Sequence, residues 1–179
     1  MKKLIFILGG ARSGKSRYAV ELAKGLSSSV AFIATASSFD EEMRKRIKTH
    51  QRLRPKYWKI IEEGKALIPI LSNLSSKYKV VIIDCISLLI SNLLEDNLND
   101  RQIQREIRGL IHAMEKSKFT IILVSNEVGM GIVPGNPLAR RFRDLLGWAN
   151  QMITREVDEV IFMHSGIPVW LKGGKKCRN

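Results

Sequence analysis

Cysteine is scarce. Cys85 and Cys177 are the only two in 179 residues, too few for a disulfide framework, and the chain reads as cytoplasmic. Long apolar runs are missing, and none approaches the roughly 18 residues that a membrane span needs. Lys2-Lys3 followed by Leu4 to Leu8 imitates a secretory signal. Its apolar core falls short of the ~7–15 residues required, and no small-residue cleavage site follows, so the segment is expected to remain as structure. Internal repeats and low-complexity tracts are absent. With 45% hydrophobic and 26% charged residues, the disordered, collagen-like and coiled-coil classes are excluded. A chain of this length buries roughly two-thirds of its unfolded surface.

Acidic residues are the other shortage: 17 against 30 basic ones, for a net charge of +13. The imbalance is local. Residues 44–59 hold eight basic side chains (Arg44, Lys45, Arg46, Lys48, Arg52, Arg54, Lys56, Lys59) and no acid, and four more (Lys172, Lys175, Lys176, Arg178) lie in the tail. The rest is close to neutral. A uniformly basic surface would suggest nucleic acid, whereas one basic segment in a neutral protein suggests a local anionic ligand at least as strongly.

Short apolar, β-branched runs at Leu4–Leu8, Val30–Ala34, Val80–Ile83 and Thr120–Ser125 suit strands buried on both faces. Between them the helical period appears. It runs through Ala19, Leu22, Ala23 and Leu26, then Ile103, Ile107, Leu110, Ile111 and Met114, then Leu138, Phe142, Leu145 and Ala149. This alternation predicts an α/β fold, a mostly parallel sheet flanked by helices. Val160–Met163 and Val169–Lys172 around Ser165-Gly166-Ile167-Pro168 predict a C-terminal antiparallel hairpin at the edge. Residues 1–172 are expected to form a single P-loop nucleotide-binding domain, and the basic tail 173–179 is expected to be disordered.

Gly9-Gly10-Ala11-Arg12-Ser13-Gly14-Lys15-Ser16 fits the spacing of a P-loop, G-x-x-x-x-G-K-[ST]. The glycines let successive amides turn toward one phosphate. Lys15 would neutralise the outer phosphates, the Ser16 hydroxyl can ligate Mg²⁺, and the helix that follows points its N-terminus at the anion. A P-loop also wants an acid at the end of a neighbouring strand, and Val80-Val81-Ile82-Ile83-Asp84 provides one. Asp84 there either joins the magnesium shell or caps the next helix.

Ser38-Phe39-Asp40-Glu41 has the form of a capping box, so a helix is expected from about residue 39 until Pro55 ends it. Met43, Ile47 and His50 would share one face, and Arg46 would neighbour His50. Two readings of His50 stand open on these residues. It is either a hydrogen-bonded histidine at the edge of a core or a nucleophile toward phosphorus. Neutral imidazole is available near pH 7, and attack on an α-phosphorus would release pyrophosphate. His112 lies off its helix's apolar stripe and His164 ends a strand; neither is given a role.

Several further segments match a known family: Ile33-Ala34-Thr35-Ala36, Asp40-Glu41-Glu42-Met43, Arg46-Ile47, His50, Arg54-Pro55, Trp58, Glu62 and Asp84-Cys85. They continue with Val124-Ser125-Asn126-Glu127-Val128-Gly129-Met130-Gly131-Ile132-Val133-Pro134, then Leu138-Ala139-Arg140-Arg141-Phe142-Arg143-Asp144, then Ser165-Gly166-Ile167-Pro168. With the P-loop, the chain resembles the bifunctional adenosylcobinamide kinase/adenosylcobinamide-phosphate guanylyltransferases of cobalamin biosynthesis. The likeness runs from about residue 4 to 172.

The resemblance implies two reactions. ATP or GTP phosphorylates the aminopropanol hydroxyl of adenosylcobinamide. GMP then passes from GTP to that phosphate through a guanylylated histidine, which by position is His50. It also implies nucleotide contacts at Gly9, Gly10, Ala11, Arg12, Ser13, Gly14, Lys15 and Ser16. Further contacts fall at Ala34, Thr35 and Ala36, at Gln51, Arg52, Leu53 and Arg54, and at Glu62 and Asp84. Ser16 and Asp84 would be the metal ligands. The expected partners are a corrinoid substrate and further copies of the chain, as in a homotrimer, with no nucleic acid and no membrane span. Glu127 would either position the acceptor hydroxyl or the metal, or form with Asn126 a pair that braces a loop turning at Gly129 and Gly131. Arg140, Arg141 and Arg143 would hold anionic groups or form a subunit contact. The competing readings are a P-loop small-molecule kinase without transferase activity and a basic nucleic-acid-binding ATPase.

Overall fold

The computed structural model describes residues 2–36, 41, 51 and 54–174. Most of the expected helix, His50 included, and the tail beyond residue 174 lie outside the described residues. Seven strands form one sheet: β1 (Leu4–Gly9), β2 (Val30–Ala34), β3 (Lys59–Glu62), β4 (Val80–Asp84), β5 (Thr120–Val124), β6 (Glu159–His164) and β7 (Ile167–Lys172). The spatial order is β3-β2-β4-β5-β1-β6-β7. All neighbours pair in parallel except β6 and β7, which form the expected antiparallel hairpin. The described helices are α1 (Lys15–Leu26), α2 (Leu67–Asn73), α3 (Ile86–Glu95), α4 (Asp100–Lys116) and α5 (Pro137–Glu156). Among the described residues no helix is long and apolar enough to cross a membrane.

Side chains alternate across the sheet, so β1 feeds two cores. Leu4, Phe6 and Leu8 pack with α2, α3, α4 and α5, through Leu67, Ile90, Ile107 and Leu146 among others. Ile5 and Ile7 pack on the opposite face against Ala19, Val20 and Ala23 of α1. Hydrophobic β1 residues are all buried, and Phe6 and Ile7 have no exposed surface. Truncating such a residue to alanine costs about 2–5 kcal/mol.

Polar side chains set the helix ends. Asn99 and Gln102 form a reciprocal capping box on α4. Asn136 caps α5, accepting from the Leu138 and Ala139 amides at 2.8 and 3.2 Å, with Pro137 in the first turn.

Four features depart from the sequence expectation. β3 is only four residues long, with Lys59 and Glu62 exposed at the sheet edge, and it lacks the apolar run of a buried strand. α2 and α3 are short and apolar, and the segments Leu67–Leu71 and Ile86–Leu94 could belong to either secondary structure by pattern. The hairpin turn is tighter than expected. Ser165 and Gly166 alone carry positive φ there (52° and 86°), while Ile167 and Pro168 already belong to β7, an edge strand that tolerates proline.

Candidate active site

The C-terminal ends of β1, β2, β4 and β5 lie side by side, the edge at which open α/β sheets bind ligands. The P-loop leaves β1 there and enters α1 with Gly14 at the N-cap. Gly14 has φ of +93°, and Arg12 also sits in the left-handed region at +56°. At Gly9 a Cβ would lie 2.4 Å from the Met163 carbonyl oxygen, so only glycine lets the loop pass β6. The hairpin turn braces the loop from outside, because the Gly166 amide donates to the Ser13 carbonyl at 3.1 Å. The Ser165-Gly166 pair, matched in sequence without a role, therefore supports the cradle.

Lys15 is buried to 7% exposure, and its ammonium curls over the loop to donate to the Gly10 carbonyl at 2.6 Å. Ser13 Oγ lies 3.4 Å from the same nitrogen. Ser16 lies in the first turn of α1 and is half-buried, and Asp84 closes β4, half-buried, with β5 between it and the P-loop strand. A hydroxyl and a carboxylate are hard oxygen donors that suit Mg²⁺, which ordinarily takes few protein ligands and completes its shell with phosphate and water. No group of three or more His, Cys, Asp or Glu gathers among the described residues, so a dedicated cage is not built there.

Ala34 and Thr35 are buried and Ala36 is half-buried. The Thr35 hydroxyl is committed to the fold: it accepts from the Cys85 amide at 2.6 Å and donates to the Cys85 carbonyl at 2.7 Å. Asn92 Nδ2 donates to the Thr35 and Gly64 carbonyls, both at 2.9 Å. Burial pushes the Cys85 thiol up to about 11, with the Asp84 charge adding to the shift, so this cysteine is protonated and unreactive near neutrality.

Of the basic segment, Arg54 lies at this edge. Its guanidinium stacks on the Phe32 ring at 3.9 Å, and its Nε and Nη1 are buried without a hydrogen-bond partner. Burial pulls its pKa down from the ordinary arginine value, while the Asp84 and Glu62 carboxylates pull it back up. Gln51 Nε2 reaches the Glu62 carboxylate at 3.2 Å. Gln51, Arg54, Glu62 and Asp84, chosen far apart in sequence, thus share one edge. His50, Arg52 and Leu53 lie outside the described residues.

The segment after β5 sits between the P-loop strand and the Asp84 strand. The Glu127 amide donates to the Gly9 carbonyl at 3.0 Å, and its carboxylate accepts from the Gly129 amide. Neither Gly129 nor Gly131 takes the positive φ that the expected glycine turns implied, because the carboxylate holds the bend instead. Behind it Asn126 braces the loop, as one of the two expectations for the pair of Asn126 and Glu127 had it, through a chain of polar contacts whose partners Ser87 and Asn150 sequence reasoning missed. Asn126 Nδ2 donates to Ser87 Oγ at 2.9 Å, Ser125 Oγ to Asn150 Oδ1 at 2.8 Å, and Asn150 Nδ2 to the Asn126 carbonyl at 3.0 Å. Asn150, set among the apolar positions of α5, was its signal, since a buried amide needs partners. Arg140 and Arg141 brace the fold. Arg140 donates to the Pro134 and Gly135 carbonyls, and Arg141 to Asp100 and the Leu98 carbonyl. Arg143 pairs with its neighbour Asp144. His112 is exposed 3.8 Å from Glu115, and His164 is exposed at the end of β6.

Comparison with known proteins follows the same lines. Residues 5–171 match the family model described as cobinamide kinase / cobinamide phosphate guanyltransferase. The chain is 39% identical over 181 residues to the bifunctional adenosylcobalamin biosynthesis protein CobU of Escherichia coli strain K12, covering 94% of this chain and 99% of that protein. It is 40% identical over 167 residues to the bifunctional adenosylcobalamin biosynthesis protein CobP of Pseudomonas aeruginosa, covering 93% and 96%. Among solved structures, the RadB recombinase superposes with a TM-score of 0.51 at 14% identity over 89% of this chain and 73% of that one. A second solved structure, an ATPase domain, superposes with 0.52 at 16% identity, over 90% and 69%. These two likenesses establish a P-loop NTPase fold.

Proposed function

The chain belongs to the cobinamide kinase / cobinamide phosphate guanyltransferase family, and from that premise we propose how one phosphate cradle serves two transfers. In the first, the adenosylcobinamide hydroxyl attacks the γ-phosphorus of ATP or GTP. The bond to the β–γ bridging oxygen breaks, and the nucleoside diphosphate leaves. In the second, a nitrogen of His50 attacks the α-phosphorus of GTP and pyrophosphate departs. The oxygen of adenosylcobinamide phosphate then displaces His50 from phosphorus, giving adenosylcobinamide-GDP and freeing the imidazole.

The observation that carries this reading is the pairing of two cation sources at one sheet edge. Lys15 folds over the P-loop, and Arg54 presents buried Nε and Nη1 atoms that lack partners, with Asp84 and Glu62 beside it. A buried, unpaired donor is costly, and an anionic oxygen satisfies it. Lys15 serves the outer phosphates in both reactions. Arg54, close in sequence to His50, serves charge that develops at the α-phosphorus. Magnesium held by Ser16 and Asp84 supplies neutralisation of the phosphate oxygens. Gly9 to Ser16, Ala34 to Ala36, Gln51 to Arg54, Glu62 and Asp84 form the nucleotide site. The protein works in the cytoplasm as a homo-oligomer, a trimer.

The test is product analysis with purified protein, adenosylcobinamide, GTP and magnesium. The expected outcome is adenosylcobinamide phosphate first and adenosylcobinamide-GDP with pyrophosphate later. Accumulation that stops at the phosphate, with GTP in excess, would leave a plain kinase.

A further inference from the structure

We propose that the loop from Val128 to Val133 is the platform on which the corrinoid ring of the substrate lies. The inference rests on the functional reading above and adds the place of the ring to it. Val128, Met130, Ile132 and Val133 are exposed, Met130 to 81% and Ile132 to 96%, and Leu138 at the start of α5 joins them. No charged residue occurs between Glu127 and Arg140. Several exposed apolar side chains on one short uncharged loop are what an interaction surface offers.

Polar anchors hold the loop at both ends. On the near side the Glu127 amide is bonded to Gly9 of the cradle, and its carboxylate to the Gly129 amide. On the far side Arg140 holds the Pro134 and Gly135 carbonyls. The apolar side chains are thus presented outward by a braced backbone, which lowers the ordering cost of binding.

Its position selects the occupant. The loop grows from the end of β5, between the strands that carry the P-loop and Asp84, and its root touches the cradle. The reacting hydroxyl of cobinamide stands at the end of a side arm, so the ring must lie within an arm's length of the transferred phosphoryl group. From Glu127, the six residues to Val133 reach at most ~20 Å. The corrin periphery carries methyl groups between polar amide arms, and the methyl-bearing edge suits an uncharged, aliphatic seat on which its burial draws on the hydrophobic effect while the amides stay in water.

The experiment compares full-length wild type with a Met130→Ser, Ile132→Ser double variant. Steady-state kinetics are run with cobinamide and then with GTP as the varied substrate, alongside sedimentation velocity. Both side chains are exposed, so folding is not at stake. The corrinoid KM is expected to rise about tenfold or more, while the GTP KM and the sedimentation coefficient stay at wild-type values. An unchanged corrinoid KM would overturn the inference, and so would sedimentation as a smaller species, which would put a second copy of the chain on the loop. A wild type that never turns over cobinamide would remove the functional reading itself. Turnover by both proteins with equal KM would remove the platform alone.

Discussion

Gln51 Nε2 donates to the Glu62 carboxylate across 3.2 Å, tying the position that follows His50 to the C-terminal end of β3. Glu62 is exposed, so the contact is a positioning device rather than a source of stability. Glu62→Ala should slow formation of the guanylyl-enzyme from GTP by about tenfold or more, because small misplacements of a nucleophile are expensive. Phosphorylation of the corrinoid should fall less. Single-turnover labelling with α-labelled GTP, run beside the kinase assay, checks the split. Equal losses in both reactions would leave Glu62 a nucleotide contact alone and contradict its part in positioning His50.

Lys15 folds its ammonium over the cradle on which both transfers depend. Lys15→Ala is expected to cut each by about 100-fold or more, the scale of losing one preorganised charge donor. Rate measurements on the two half-reactions decide it. Retention of either one near wild-type speed would separate the reactions into two sites.

Asp84 ends the strand beside β5 as a carboxylate suited to magnesium. Asp84→Asn should raise the magnesium concentration needed for half-maximal rate in both reactions, because it removes the charge from a hard-oxygen ligand. Magnesium titration of the variant tests this. A curve that overlays wild type would assign Asp84 to the fold alone.

Glu63 accepts from the Ala66 amide at 3.0 Å and the Lys65 amide at 2.8 Å ahead of α2. These bonds, the Ala66 one foremost, hold its carboxyl below the usual carboxylate range. Its contribution to stability is therefore present above the unfolded-state value of ~4.3 and is lost as pH falls through the lower folded value. Glu63→Ala should lower Tm by about 2–4 °C at pH 7, the shift expected for ~1 kcal/mol in a chain of this size. The gap to wild type should close as the solution is acidified below the usual carboxylate range. Thermal melts from pH 7 to pH 3 show it, and a constant gap would contradict the assignment.

The fold was legible where the signal is local. The P-loop announces itself through Gly9, Gly14, Lys15 and Ser16 on eight consecutive residues, and four strands show as β-branched runs. β3 was not legible, since a four-residue edge strand with polar ends has no pattern of its own. Of the residues that gather at this sheet edge, Lys15 and Asp84 stand out by motif, and Glu62 by the resemblance alone. The brace from Gly166 to Ser13, and the partners Ser87 and Asn150 that meet Asn126, were not legible, because the sheet order β4-β5-β1-β6 brings those residues together from far apart in sequence. For Arg140 and Arg141 the sequence left an anion contact and a subunit contact open, and the structure adds the carbonyls that they hold. Charge alone does not distinguish an arginine that awaits an anion from one that holds a carbonyl.

His50 as the carrier of GMP is tested most directly by mass spectrometry of the protein incubated with GTP and magnesium. Peptide mapping should find a GMP-sized adduct on His50 of wild type, labile in acid and stable in alkali, and no adduct on His50→Ala or Lys15→Ala. No adduct on wild type, or the same adduct on the His50→Ala protein, would contradict it.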